Sequence, residues 1–209
     1  MDNESRYLLV TTALEESWGE KQDLILLGGG CCQYAKKDAL NMRSFRVLPY
    51  HWDNRQKALA DFEYLQTVTK RLTYDLSKIL NNLHGKNYTE KTWSILIGTW
   101  LVKFSTVVLD RWSMIQNAES NYNDLETIVL DVDLTDFIPN DTRQSVVFFN
   151  DDKWNHVFIG QLIEQSPSIK IKKIKFQSVE NLPEEKNSKP VLVSALSRLK
   201  AGLSLILTE

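Results

Sequence analysis

The sequence predicts an α/β fold, a Rossmann-like parallel sheet with long flanking helices. Short apolar runs alternate with helical patterns along the first fifty residues, and two much longer helical patterns precede the next apolar run. The first runs end in polar or glycine-rich turns, as strands of such a sheet do. Because parallel strands need long crossover connections, usually helical, this order favours a parallel sheet.

Five segments have the composition of strands. The last of them alternates lysine with isoleucine or phenylalanine, which is typical of a half-exposed strand at a sheet edge. Phe45, Val47 and Leu48 are interpreted as the end of a buried strand that stops at Pro49, which has no N–H to donate. The predicted strands cover 6–12, 23–27, 44–48, 127–130 and 170–176.

The longest amphipathic pattern runs from Asp53 to Leu83, with apolar residues recurring at intervals of three and four. Asp53 stands where an N-cap belongs, and Gln56 follows at capping-box spacing. Gly85 is predicted to end this helix in a left-handed conformation. A third helical pattern covers residues 150–165.

A second long helix, about 88–118, is apolar on more than one side and is predicted to lie between layers. Its most apolar part, Ser94 to Leu109, contains Lys103 and is shorter than the roughly 20 residues of a membrane span. We therefore predict a buried helix and no transmembrane segment, and an interfacial helix with peripheral membrane contact stays an alternative.

Composition limits the function classes. The chain has 209 residues, and its net charge of -2 gives no sign of a nucleic-acid binder, which normally carries a basic face. Its only cysteines, Cys31 and Cys32, are adjacent, which argues against a disulfide and a zinc site. Reduced thiols and an N-terminus without an apolar signal region predict a cytoplasmic protein with no bound metal.

Residues 1–180 are predicted to form the Rossmann-like domain, and 181–209 a polar linker and an apolar, helical tail. The tail ends at Glu209 without a polar cap. We therefore expect either that the chain is truncated before a second domain or that the tail packs against a partner.

Candidate catalytic residues lie where predicted strands end or helices begin. His51 follows the third strand, His156 lies in the first turn of a helix, and Glu15 and Glu16 follow the first strand. Histidine and carboxylate side chains are the usual general acids and bases. His156 is equally well explained as part of a helix-start cluster, and the residues after Pro49 as an ordinary helix cap over a packed tryptophan.

Residues 28–30 are three consecutive glycines after a strand, but they match neither the dinucleotide pattern nor the Walker pattern with its lysine. A tight turn is therefore favoured over a nucleotide cradle. The missing lysine disfavours a stand-alone phosphotransfer enzyme.

Several short motifs in order resemble one protein family, and the resemblance covers about residues 6–165. The motifs are Thr11 to Trp18, Leu27 to Cys32, Pro49 to Asp53 with Arg55, His84-Gly85, Trp93, Ile95 to Gly98 with Trp100-Leu101, Asp110 to Trp112, Pro139 to Asp141 and Trp154 to His156. Together they resemble the N-terminal part of a bacterial transferase family associated with O-antigen and surface-polysaccharide gene clusters.

The resemblance implies the acceptor-side half of a two-domain, GT-B-like glycosyltransferase of lipopolysaccharide or other cell-surface polysaccharide assembly, cytoplasmic or at the inner face of the membrane. The nucleotide-sugar donor would bind a missing second domain, so this chain would bind no cofactor and would be inactive alone. Its partners would be a sugar or glycolipid acceptor and a C-terminal domain or partner protein.

In that scheme Glu15, Glu16 or His51 would be the base for the acceptor hydroxyl, with His156 and Asn155 on the opposite wall. Trp52 would stack on a sugar ring, while Arg55 and the helix N-terminus at Asp53 would hold a phosphate. The other substrate-binding candidates are Thr11, Thr12, Trp18 and Gly28. The alternative function is a non-catalytic assembly module that docks a partner carrying the donor site.

Overall fold

The structure, a computed structural model, describes residues 7–20, 23–33, 40 and 43–175. Its centre is a five-stranded, all-parallel sheet in the order β3-β2-β1-β4-β5. The predicted Rossmann-like α/β class is confirmed. The strands are β1 (Tyr7–Val10), β2 (Asp23–Leu26), β3 (Ser44–Val47), β4 (Leu125–Asp131) and β5 (Ile169–Lys175).

The strand order reverses at β1. From β1 the chain adds β2 and then β3 on one side, and it later adds β4 and β5 on the other side. Leu8 of β1 accordingly pairs with Leu24 on one side and Glu126 on the other. In open parallel sheets, such a reversal leaves a crevice at the carboxyl ends of the strands, where ligands bind.

The sheet core is formed by the central strands and the helices around it. Leu8, Leu9 and Val10 of β1 are buried, as are Ile159 and Ile163 of a late helix. That helix approaches β4 closely, because a Cβ at Gly160 would lie 3.1 Å from a methyl carbon of Val129. The shorter helices are α1 (Gly30–Gln33), α4 (Thr142–Phe148) and α5 (Asp152–Ile163).

The two outer strands differ in how well they were predicted. β5 lies at the sheet edge, as its lysine alternation indicated. The prediction that Phe45 and Val47 end a buried strand is wrong: they are 42% and 41% exposed. β3 is the other edge strand, so its apolar side chains lack a neighbouring strand on one side.

The chain forms two compact units. Among the described residues, the first unit comprises those from 7 to 51 and from 111 to 175 and includes the whole sheet, and the second comprises 52–110. The described part of the second unit contains α2 (Arg55–His84) and most of α3 (Glu90–Asn121). The proposed boundary at residue 181 lies outside the described residues and stays a prediction, as does the tail.

The start of α2 corrects one prediction. The N-cap is Asn54, not Asp53, and its Oδ1 accepts hydrogen bonds from the backbone N–H groups of Gln56 and Lys57. Asp53 is instead the last residue of a 3-10 turn that begins at His51. The chain makes that extra turn before the helix, which moves the cap by one residue.

A short turn joins α2 to α3 as an αα-hairpin. Gly85 ends α2 at φ 59°, the left-handed conformation that was predicted. Asn81 then fixes the turn with one side chain: it exchanges two 2.9 Å hydrogen bonds with the backbone of Tyr88 and accepts another from the indole N–H of Trp93. This amide therefore sets the geometry of the hairpin.

The prediction that α3 lies between layers is wrong for its first half. Ile95 is 75% exposed, and Leu96 and Val102 are also exposed. The second unit contributes only two helices among the described residues, so much of each helix faces outward. By length and composition α3 is the one described helix that could cross a membrane, and 28% of its most apolar window is buried.

Candidate functional site

Two threonines follow β1 at the reversal point, and both are buried. The Thr11 hydroxyl lies 3.2 Å from Nδ1 of His156 on α5. Trp18 is 1% exposed and its indole N–H donates to the backbone oxygen of Thr12 at 3.1 Å. His156 and Trp18 thus both bond to the residues that follow β1. Trp18, a predicted substrate contact, is a buried core residue.

His156 is tied into the core through both ring nitrogens. The backbone N–H of Leu130 in β4 donates to Nε2 at 3.1 Å, so Nδ1 carries the proton and donates to Thr11. The ring is 1% exposed, and this burial lowers its pKa to about 4. His156 is therefore neutral at pH 7, and it positions Thr11 by linking α5 to β1 and β4.

Asp152 is a site residue that the sequence reasoning missed. Its Oδ1 accepts from the backbone N–H of Ala13 at 3.3 Å, directly after the two threonines. The sequence feature that could have predicted Asp152 is its spacing from His156. The two residues are four apart and therefore share one face of α5. Asp151 caps the helix by accepting from the backbone N–H of Trp154, which leaves Asp152 directed at the β1 loop.

Asn155 and Arg111 form a separate polar contact beside α5. The Nε–H of Arg111 donates to Oδ1 of Asn155 at 3.0 Å, and the Asn155 amide donates to the backbone oxygens of Phe149 and Asp151. Asn155 is buried. These bonds tie the predicted binding residue Asn155, in the first turn of α5, to the loop that precedes the helix.

Glu15 and Glu16 begin the 3-10 turn Glu15–Ser17, which packs against β4. This turn therefore lies over the β1–β4 boundary, where the strand order reverses. Glu15 is half-buried and Glu16 is exposed. Of the two carboxylates, Glu15 is therefore the more shielded from solvent.

The glycine run after β2 forms a turn, in which the N–H groups of Cys31 and Cys32 donate to the oxygens of Gly28 and Gly29. None of the three glycines has a positive φ. Among the described residues, a Cβ on Gly29 or Gly30 would meet nothing within 4 Å, and one on Gly28 would meet only Met114 at 4.0 Å. Neither backbone conformation nor internal packing requires glycine here, so the run keeps the surface open beside β2.

The adjacent cysteines have different environments. Cys31 is buried, its Sγ–H donates to the Val10 oxygen at 3.5 Å, and burial raises its pKa to about 11, with a smaller contribution from the nearby Asp152 charge. Cys32 is half-buried, and both thiols are free. Because the thiolate is the reactive form, Cys31 is unsuited to nucleophilic chemistry.

We expect iodoacetamide at pH 8 to modify one thiol per native chain, Cys32, and both thiols in denaturant. Mass spectrometry of Cys31→Ser and Cys32→Ser variants checks the assignment. Native Cys31→Ser should still label and native Cys32→Ser should not. Rapid labelling of Cys31 in the native Cys32→Ser variant would contradict its burial.

The other predicted residues lie after β3 or in the second unit. His51 is buried after β3, and β2 lies between β3 and β1, which places β3 roughly 10 Å from β1. Trp52, Asp53 and Arg55 belong to the second unit, where the Trp52 indole N–H donates to Oδ2 of Asp61 at 2.8 Å. Their predicted roles, and that of His51, stay predictions.

The side chains and turns around the reversal point form what we call the carboxyl-edge site: Thr11, Thr12, Glu15, Gly28–Gly30 and Asp152. It offers hydroxyls, two carboxylates and an open turn. Within the described ranges, no group of three or more histidine, cysteine, aspartate or glutamate side chains is placed to hold a metal ion. Hydroxyl and carboxylate groups can hydrogen-bond to polar ligands, and a carboxylate can accept a proton.

Comparison with known proteins gives one match. The family model described as LIC12162 family transferase matches residues 7–208. No curated protein and no solved structure matches the chain. The match includes every residue of the carboxyl-edge site and extends past residue 165, where the motif resemblance ended. Since the family model spans nearly the whole sequence, the chain belongs to the LIC12162 family of transferases.

Proposed function

We propose that the chain is the acceptor-binding half of a glycosyltransferase-like enzyme of bacterial O-antigen or related cell-surface polysaccharide synthesis. Family membership supports transferase chemistry, and the motif resemblance supports the sugar. The nucleotide-sugar donor is assigned to a further domain or a partner protein. The proposed setting is the cytoplasm, at the inner face of the membrane.

The observation that carries the proposal is the position of the carboxyl-edge site at the strand reversal. Buried hydroxyls at Thr11 and Thr12, the half-buried Glu15 and the empty space above Gly29 lie at the carboxyl ends of adjacent parallel strands. Polar groups beside an open surface at this edge suit a ligand rich in hydroxyl groups.

The chemistry follows from which groups can accept a proton. The acceptor hydroxyl oxygen attacks the anomeric carbon of the donor, the bond from that carbon to the phosphate oxygen breaks, and the hydroxyl proton passes to a base. His156 already uses both ring nitrogens inside the protein, and the Cys31 thiol is buried. We therefore assign the base to Glu15, with Asp152 holding the Ala13 backbone in place.

The test is calorimetric binding of the chain to N-acetylglucosamine, chitobiose and mannobiose as acceptors, and to UDP-N-acetylglucosamine and GDP-mannose as donors. We expect an acceptor to bind and Glu15→Gln to weaken it about tenfold, because the variant loses a charged hydrogen-bond acceptor. Glu20→Gln, an exposed neighbour outside the site, should bind like the unchanged chain.

Tight binding of a nucleotide sugar would contradict the assignment of the donor to another domain. The second candidate, a non-catalytic assembly module, is favoured by the internal use of His156 and Cys31, which leaves few reactive groups at the site. No binding to any of the five sugars would support the module and overturn the acceptor-binding proposal.

A further inference from the structure

The turn between α2 and α3 is surrounded by exposed apolar side chains. We call this surface, within residues 78–103, the hairpin tip. Each member lies on the end of α2, in the turn or on the first half of α3. The exposed apolar residues are Ile79, Leu83, Tyr88, Ile95, Leu96 and Val102. Exposed apolar groups of this extent mark an interaction surface.

The hairpin tip is basic, although the whole chain is acidic. Residues 78–103 contain four lysines and one glutamate, a net charge of +3, against -2 for the chain. The four lysines (Lys78, Lys86, Lys91 and Lys103) are all exposed. Apolar side chains suit the acyl boundary of a membrane, and lysines suit its anionic headgroups, so the mixture of the two matches an anionic membrane surface.

The dimensions of α3 favour lying on a membrane over crossing it. Lys91 and Lys103 are twelve residues apart, about 18 Å along a helix, whereas the hydrocarbon core is about 30 Å thick. The far end of α3 is buried in protein, since Ile115 and Ala118 are fully covered. Only the first half of the helix is available to lipid.

The tip is also held in a defined shape. Asn81 bonds the turn to Trp93, and the Trp93 ring packs against both His84 and Tyr88, at centroid distances of 6.1 and 5.7 Å. A preformed surface loses less conformational entropy on binding than a flexible loop does. We propose that the hairpin tip docks the protein onto anionic lipid bilayers as an interfacial, non-spanning surface.

The test is co-sedimentation of the full chain with vesicles of phosphatidylcholine alone or with 30% phosphatidylglycerol. We expect at least tenfold stronger binding to the anionic vesicles, and a decline as salt is raised. The variant Ile95→Asp with Leu96→Asp should lose about tenfold or more in affinity, since it removes two apolar groups and adds two negative charges. Both positions are exposed, so folding should be unchanged.

Val147→Asp is the matched control, an exposed apolar residue on α4 in the other unit, and should bind like the unchanged chain. A second variant, Lys86→Glu with Lys91→Glu, should lose the preference for anionic vesicles. No binding to either vesicle would overturn the proposal, as would equal losses in Val147→Asp and the tip variants. Self-association abolished by the Ile95 and Leu96 changes, without vesicle binding, would instead assign the surface to a second copy. The sugar-binding test of the proposed function uses no lipid, so its outcome is independent of the outcome of the vesicle experiment.

Discussion

Acidification from pH 7 to pH 4 should remove about 3 kcal/mol of unfolding free energy through His156 alone. Burial lowers the pKa of His156 from 6.5 to about 4 in the folded protein. Between those values the unfolded chain binds a proton that the folded chain does not, so stability is full above pH 6.5 and falls as the pH falls towards 4. Each pKa unit corresponds to about 1.4 kcal/mol.

The measurement is urea unfolding at a series of pH values, for the unchanged chain and for His156→Gln. The variant lacks the imidazole, so its stability should fall about 3 kcal/mol less over this range, even though it starts lower. His84→Gln, at the exposed end of α2, is the control and should keep the dependence of the unchanged chain. Parallel pH profiles for His156→Gln and the unchanged chain would contradict the buried, neutral ring.

Trp18→Ala should destabilise the protein by about 3–5 kcal/mol, the usual cost of removing a large aromatic side chain from a core. The ring is 1% exposed, and its N–H bonds to the Thr12 oxygen at 3.1 Å. Trp18→Phe keeps most of the ring but leaves that oxygen without its donor. We expect it to cost roughly 1–3 kcal/mol.

Thermal unfolding followed by circular dichroism measures both changes. Trp100→Ala is the comparison, because Trp100 is half-buried and stacks on Phe104 in the second unit. It should lower the melting temperature less than Trp18→Ala does. A Trp18→Ala variant as stable as the unchanged chain would show that the ring contributes little to the core, and would return Trp18 to the role of a ligand contact.

The parts of the fold that sequence could predict are those with local causes. The parallel sheet follows from the alternation of apolar runs and helices. The end of α2 follows from Gly85, because glycine readily adopts the left-handed conformation that ends a helix. The edge position of β5 follows from its lysines. Each signal acts within a few residues, so its pattern is visible along the chain.

The errors have tertiary causes. The exposure of Phe45 depends on β3 being an edge strand, and the exposure of Ile95 depends on how few helices surround α3; neither is encoded near those residues. At the site, Asp152 reaches Ala13 across 139 residues of sequence. The sequence marked His156 as a candidate because histidine is a usual general acid or base. Its hydrogen bonds to Thr11 and Leu130 are visible only in the structure.

We propose that the acceptor sugar binds on the open surface beside Gly29, and the variant Gly29→Val tests this position. The added side chain should leave the unfolding free energy within about 0.5 kcal/mol, because the position is exposed and a Cβ there meets none of the described residues within 4 Å. Calorimetry with the acceptor sugars should show at least tenfold weaker binding than for the unchanged chain, because the isopropyl group fills the ligand's space. Unchanged sugar affinity in a normally folded Gly29→Val variant would show that the sugar binds elsewhere than at this edge of the sheet.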